Sequence, residues 1–262
     1  MTQSPRIAAM IAAATLAGKG LAADVRRLAT LTVRTKSGPT DLVSEADVRA
    51  EDTVRAALRA AEPGYGFLGE EGGLVAGSDP EHVWIVDPLD GTTNFLTGSP
   101  LFAVSIALAK DGVPIAGVTH VPLMGDTFWA EQGAGAWRNG ERLQISTRSA
   151  LVQSVLAVGI PHADKPCHGA FRTEMARLTP RVAGIRRLGA GTIDMAWVAC
   201  GRFDAYWEQS LCAWDMAAGA ILVREAGGVV TDTLGAPLDL MGGSVLATTP
   251  ALHAELIEAL RA

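Results

Sequence analysis

The sequence predicts a layered α/β fold with α+β character, and three observations predict it. Segments with helical and strand periodicity alternate in both halves of the chain. Between residues 101 and 137, strand-like runs are separated only by Asp-Gly, Pro and Gly turn signals. Neither internal repeats nor low-complexity linkers break the pattern, as a solenoid or tethered array would require.

Taken in order, Ile7, Met10, Ile11, Leu21, Val25 and Leu28 recur at helical spacing and predict an amphipathic first helix. Its start, "IAAMIAAATLAG" and then "LAA", imitates a secretory signal; Lys19 interrupts it and the apolar stripe runs past the supposed cleavage point, so a helix of the folded domain is expected. "LTVRTKSGPTDLVS" alternates as two short strands around Gly38 and Pro39. Ser44 with Asp47 three positions later forms a capping-box pattern that opens a second helix ending near Glu62. "YGFLGEEGG" reads as a strand with Glu70 at its exit, and "HVWIV" as the next strand after a polar linker. "FAVSIALA", "VPIAGVTHV", "DTFWAE" and "GAWRN" form an antiparallel meander. The second half reads "SVLAVGI" as strand, 168–179 as helix, "GIRRLG" as strand and "GTIDMAWVAC" as helix. "FDAYWE" follows as strand, "AWDMAAGAILVREAGG" as helix, "SVLAT" as strand, and a last helix starts at Pro250. The expected division is 1–145, with the first two helices and the antiparallel sheet, and 146–262, an α/β half.

Of 262 residues, 48% are hydrophobic and 19% charged, which excludes a disordered chain and suits one large or two modest cores. The net charge of −6 comes with scattered Lys and Arg, so no nucleic-acid footprint is visible. Cys167, Cys200 and Cys212 are odd in number and lack CxxC spacing, which supports neither a disulfide framework nor structural zinc and fits a reducing cytoplasm. No window of about 18 uncharged apolar residues appears, so no membrane span is expected.

"WIVDPLDGTTNF" at 84–95 turns from a buried strand into a polar segment with two acids three positions apart. A buried carboxylate loses its hydration, so Asp87 and Asp90 call for a compensating cation. Asp87 falls at the strand's carboxyl end and Asp90 in the following turn, where open α/β sheets collect ligands. Glu70 and Asp215 also stand at a strand exit and a helix start. Taken alone, Glu70 reads as a solvated loop acid and Asp215 as a first-turn residue favoured by the helix dipole. Oxygen-only donors without nearby His or Cys suit a hard ion such as Mg²⁺. Gly91, Thr92 and Thr93 enter a helix whose exposed amides would hold an oxyanion. Cations on one side and amides on the other point to metal-assisted hydrolysis of a phosphate monoester.

These residues resemble the Mg²⁺-dependent, lithium-sensitive inositol monophosphatase family. "GEE" at 69–71, "WIVDPLDGTTNF" at 84–95 and "WDMAAGAILVREAGG" at 214–228 match its signatures in order, and "KSGPTDLVSEAD" at 36–47 matches an upstream segment. The likeness spans essentially the whole chain. It implies an αβαβα sandwich of the inositol monophosphatase and fructose-1,6-bisphosphatase type, one catalytic unit built from both halves, and commonly a homodimer. It also implies that Glu70, Asp87 and the Leu89 carbonyl hold one Mg²⁺ while Asp87, Asp90 and Asp215 hold a second. A third, weaker ion beside Glu70 is compatible with it. Thr92 and Glu70 would orient the attacking water, with Asp47 hydrogen-bonded to Thr92. Gly91 and Thr92 would give amides to phosphate, and Gly191, Glu208 and Asp215 would meet the sugar or polyol. The implied substrate is a small phosphorylated polyol or sugar, inositol 1-phosphate first. Only 17 positions separate Glu70 from Asp87, a shortened connection relative to the family.

Histidinol-phosphate, fructose-bisphosphate, nucleotide and NADP phosphatases share this metal chemistry, and "GTTNF" argues for the inositol branch. "GIPHADKPC" and "HGAFRTEM" are expected to edge the pocket. A dinucleotide-binding oxidoreductase is the reading from another class, since "RRLGAGTIDMA" carries half of a GxGxxG pattern, but Asp194 occupies the place of the third glycine. A non-catalytic binding protein on the same scaffold is the other, and the intact acid set argues against it.

Overall fold

The computed structural model describes residues 3–35 and 42–261, so the turn at Gly38–Pro39 and the 36–41 part of the upstream motif lie outside the described residues. In chain order, α1 (Pro5–Asp24) is followed by β1 (Val33–Thr35), β2 (Leu42–Ser44), α2 (Glu45–Ala61), β3 (Gly66–Gly69), β4 (Gly73–Val75), β5 (His82–Asp90) and α3 (Thr92–Leu96). The meander is β6 (Ala103–Lys110), β7 (Val113–Val121), β8 (Asp126–Glu131) and β9 (Gly135–Arg138), extended by β10 (Glu141–Arg142). Then come β11 (Val155–Val158), α4 (His168–Leu178), β12 (Gly184–Arg186), α5 (Gly191–Ala199), β13 (Ala205–Gln209), α6 (Ala213–Glu225), β14 (Val229–Thr231), β15 (Ser244–Thr248) and α7 (Pro250–Leu260).

An eight-stranded sheet runs β10-β9-β8-β7-β6-β5-β3-β4, and a five-stranded sheet runs β12-β11-β13-β15-β14. Three apolar clusters fill the spaces between layers. The first joins α1 and α2 to one face of the large sheet through Ile7, Met10, Val54, Leu58, Trp84 and Ile106. The second lies between the two sheets around α5 and α6, through Ile193, Met195, Met216 and Ile221. The third seats α4 and α7 on the outer face of the small sheet through Leu178, Trp207, Leu252 and Leu256. The result is the αβαβα sandwich.

Local chemistry explains the elements that carry the site. Ser4 accepts the Ile7 amide at 3.2 Å and Pro5 occupies the first turn, which starts α1. The stretch Pro5–Thr30 is long and apolar enough to cross a membrane by composition, yet Ile7, Met10 and Leu21 are buried against the sheet as the helical stripe predicts. The box at α2 is complete: Asp47 Oδ2 accepts the Ser44 amide at 2.8 Å and the Ser44 hydroxyl at 2.6 Å. In the middle layer α6 approaches β7 so closely that a Cβ on Gly117 would stand 2.9 Å from the Ala218 carbonyl oxygen.

Two expectations change. Strand β5 continues through Asp90, so Asp90 is not in a turn, and β4, which falls in the expected polar linker, β10 and β14 were not anticipated because strands of two or three residues carry little alternation.

Candidate active site

Glu70 leaves β3 beside β5, and its amide donates to the Val86 carbonyl at 3.1 Å, which sets it next to Asp87. Behind it, Glu51 of α2 accepts the Glu71 amide at 2.8 Å, and a Cβ on Gly69 would collide with that carboxylate. On β5 the ladder with β6 pairs Asp87 with Ser105 and Asp90 with Ala103, so three steps on one strand oppose two on the other. This bulge decides the geometry. Residues three apart in a regular strand face opposite sides, and the extra residue turns Asp87 and Asp90 to the same cavity.

Each acid is then held by a neighbouring element. Asp87 Oδ1 accepts the Leu89 amide at 3.0 Å. Asp90 Oδ2 accepts the amide and hydroxyl of Thr192 at 2.8 and 2.5 Å, which caps the start of α5. Asp215 Oδ2 accepts the Cys212 amide at 2.7 Å as the capping box of α6, as the helix-start reading expects, and the same side chain lines the cavity. Gly91 stands at φ +86°, where its Cβ would press on the Leu101 carbonyl, and opens α3 with Thr92. Thr92 Oγ1 lies 3.1 Å from Asp47 Oδ1 and 3.2 Å from the Leu89 carbonyl. Asn94 Nδ2 donates to the carbonyls of Leu101 and Leu188 at 2.6 and 2.8 Å, tying this segment to the approach to α5.

Glu70, Asp87, Leu89, Asp90, Gly91, Thr92, Gly191, Glu208 and Asp215 all line one cavity of about 420 Å³, with Asp47 behind Thr92. Glu208 on β13 accepts the Tyr206 hydroxyl, and the absence of side chains at Gly159 and Gly191 makes room for this pair. Of the expected pocket edges, "GIPHADKPC" supplies Gly159 to His162, Asp164 and Lys165. "HGAFRTEM" does not line this cavity: within it, Glu174 accepts the Trp207 indole N–H at 2.9 Å and braces β13. The sequence reading missed Asp194 and Arg187 on the cavity wall. A signal for Asp194 was available, because it is the lone charge in the apolar run "GTIDMAWVA".

Burial raises the Asp87 carboxyl well above the usual range, and the charges of Glu70, Asp90 and Asp215 raise it further. Burial also lifts Asp215 well above that range and Asp90 to about 6, the latter opposed by the Thr192 bonds. Glu208 is pushed up to about 7 by burial, against the Tyr206 hydrogen bond. As placed, no three His, Cys, Asp or Glu side chains among the described residues close around a common point at ligating distance. Glu70, Asp87, Asp90 and Asp215 nevertheless line the one cavity, where the charges of the other three acids hold the Asp87 carboxyl up. An all-oxygen, buried and like-charged donor set fits a hard divalent cation.

The sequence matches the inositol monophosphatase family over residues 2–262. The chain belongs to that family. Inositol monophosphatase relatives include the inositol-1-monophosphatase of Caulobacter vibrioides, 49% identical over 97% of this chain and 100% of its own length. The Nus factor SuhB of Pseudomonas aeruginosa is 42% identical over 93% of this chain and 91% of its own. Among solved structures, the extragenic suppressor protein suhB of Bartonella henselae superposes with a TM-score of 0.95 at 43% identity, covering 98% of this chain and 99% of that one. Inositol monophosphatases are metal-dependent phosphoric monoester hydrolases, so this chain is a hydrolase acting on a small phosphorylated substrate.

Proposed function

We propose that this inositol monophosphatase family member hydrolyses inositol 1-phosphate to inositol and phosphate with Mg²⁺. The observation that carries the reading is the convergence of Glu70, Asp87, Asp90 and Asp215, from distant parts of the chain, on one cavity whose central acid, Asp87, is buried among the others. Glu70, Asp87 and the Leu89 carbonyl would hold one ion, and Asp87, Asp90 and Asp215 a second. The ions supply positive charge that neutralises the phosphate oxygens and makes water a competent nucleophile.

The chain's own groups do the rest. Thr92 directs its hydroxyl hydrogen to Asp47, which leaves its oxygen lone pairs to accept from the attacking water, and Glu70 on the other side takes that water's proton. The amides of Gly91 and Thr92 donate to phosphate oxygens. Gly191 lets the polyol ring approach the wall, and Glu208 accepts from its hydroxyls, with Asp215 at the leaving-group side. Relatives named inositol-1-monophosphatase support this substrate over histidinol or sugar phosphates. A cytoplasmic homodimer completes the proposal.

Phosphate release is to be measured across inositol 1-phosphate, histidinol phosphate, fructose 1,6-bisphosphate and NADP. The reading expects the highest kcat/KM for inositol 1-phosphate, inhibition by lithium and no turnover in chelator. A larger kcat/KM for histidinol phosphate, or full activity in chelator, overturns it.

A further inference from the structure

The mechanism leaves one buried acid on the cavity wall unused. Asp194 is 1% exposed on α5, a helix whose Thr192, Ile193, Met195, Ala196, Val198 and Ala199 are buried too. Its Oδ1 has no hydrogen-bond partner among the described residues. The nearby donor is already engaged, since the Tyr206 hydroxyl gives its one hydrogen to Glu208 Oε2. Arg187, also on the wall, softens the charge around Asp194 without bonding to Oδ1. A buried acceptor without a donor is costly to keep, and the cost is recovered only if a ligand brings the donor.

Asp194 and Glu208 also feel each other: burial, then the Glu208 charge, holds the Asp194 carboxyl well above the usual range. Both carboxyls lie on the wall of the one cavity, Glu208 half-satisfied by Tyr206 and Asp194 unsatisfied at Oδ1. A ligand that completes both must carry two donors close together.

Resting on the inositol 1-phosphate reading above, we propose that Asp194 is a specificity-determining residue that receives a second substrate hydroxyl beside the one taken by Glu208. The pocket thereby selects a vicinal diol in the leaving alcohol. A phosphate ester lacking that pair leaves one acceptor unpaired and is discriminated against.

The test compares the unaltered protein with Asp194→Ala and Asp194→Asn, reading KM and kcat for inositol 1-phosphate and the inhibition constant of inorganic phosphate, which carries no ring hydroxyl. Asp194→Ala is expected to raise KM about 10- to 100-fold while the phosphate constant stays within about twofold. Asp194→Asn, which keeps an acceptor oxygen, is expected to restore most of the affinity. An equal loss for both ligands, or no change for either, overturns the inference and leaves the proposed reaction standing. No turnover of inositol 1-phosphate by the unaltered protein removes the substrate reading and the inference with it. Should Asp194→Ala not fold, single-deoxy analogues of inositol 1-phosphate are to be assayed on the unaltered protein. Two adjacent deletions that each cost about tenfold or more support the inference, and loss at one position or none overturns it.

Discussion

Thr92 Oγ1 lies 3.1 Å from Asp47 Oδ1, so the first residue of α3 is hydrogen-bonded to the first turn of α2 across 45 positions of sequence. Asp47 spends its other oxygen on the Ser44 amide and hydroxyl, and so closes a helix cap and aims a hydroxyl at the cavity with one carboxylate. The two tasks are separable. Thr92→Val removes the hydroxyl and is expected to lower kcat by about 100-fold or more with a small change in stability. Asp47→Asn disturbs both tasks and should lower kcat and also cost about 1–2 kcal/mol in urea unfolding. Equal kcat in Thr92→Val and the parent chain would remove Thr92 from the chemistry.

Thr192→Val tests how Asp90 is held. The substitution deletes a hydroxyl 2.5 Å from Asp90 Oδ2 while the amide bond remains. A loss of about 1–3 kcal/mol in stability is expected in metal-free buffer, because a buried carboxyl loses a donor. Chemical denaturation measures it, and an unchanged midpoint would contradict the anchoring role.

The pH dependence follows from Glu208. Its carboxyl is raised from 4.5 to about 7 by burial, so the fold favours the uncharged form. The associated stability is fully present below about pH 4.5 and is lost as pH rises through about 7, by on the order of 3 kcal/mol. Glu208→Gln should flatten that part of the curve. Parallel curves for the two proteins, measured by denaturation from acid to mildly alkaline pH, would contradict the assignment.

Packing between the layers is tight enough to test at a glycine. Gly117→Ala puts a methyl group 2.6 Å from Ile221 Cγ2 and 2.9 Å from the Ala218 backbone oxygen. Backbone cannot swing away as a side-chain tip can, so a loss of about 1–3 kcal/mol is expected in thermal unfolding. A neutral substitution would mean that α6 and β7 separate more readily than the fold suggests.

Much of this was legible in the sequence where a local rule decides the outcome. Ser44 and Asp47 form the capping box that their spacing announces, and the stripe from Ile7 to Leu21 packs as a face of α1, which ends at Asp24 and leaves Val25 and Leu28 on a following 3-10 turn. Glu70, Asp87, Asp90 and Asp215 were recognisable as acids at element ends. What sequence periodicity cannot carry is pairing across strands. The bulge that turns Asp90 inward depends on the register with Ser105 and Ala103, residues that no local pattern links to it. Asp194 was read only against a glycine fingerprint, although a single charge in a largely apolar helix is itself a sign of a buried polar function. Arg187 gave no such sign, because exposed basic residues are common, whereas Lys165 came only as part of "GIPHADKPC", the segment expected to edge the pocket.

The central claim is that the buried acids around Asp87 form a seat for divalent cations. Calorimetric titration of Mg²⁺ into the chelator-stripped protein near neutral pH tests it most directly, repeated in buffers of different ionisation enthalpy. The account predicts saturable binding at more than one site per chain, with proton release as Asp87 and Asp215 ionise, and loss of that binding in Asp87→Asn. Absence of saturable binding, or the same isotherm in Asp87→Asn, would contradict it.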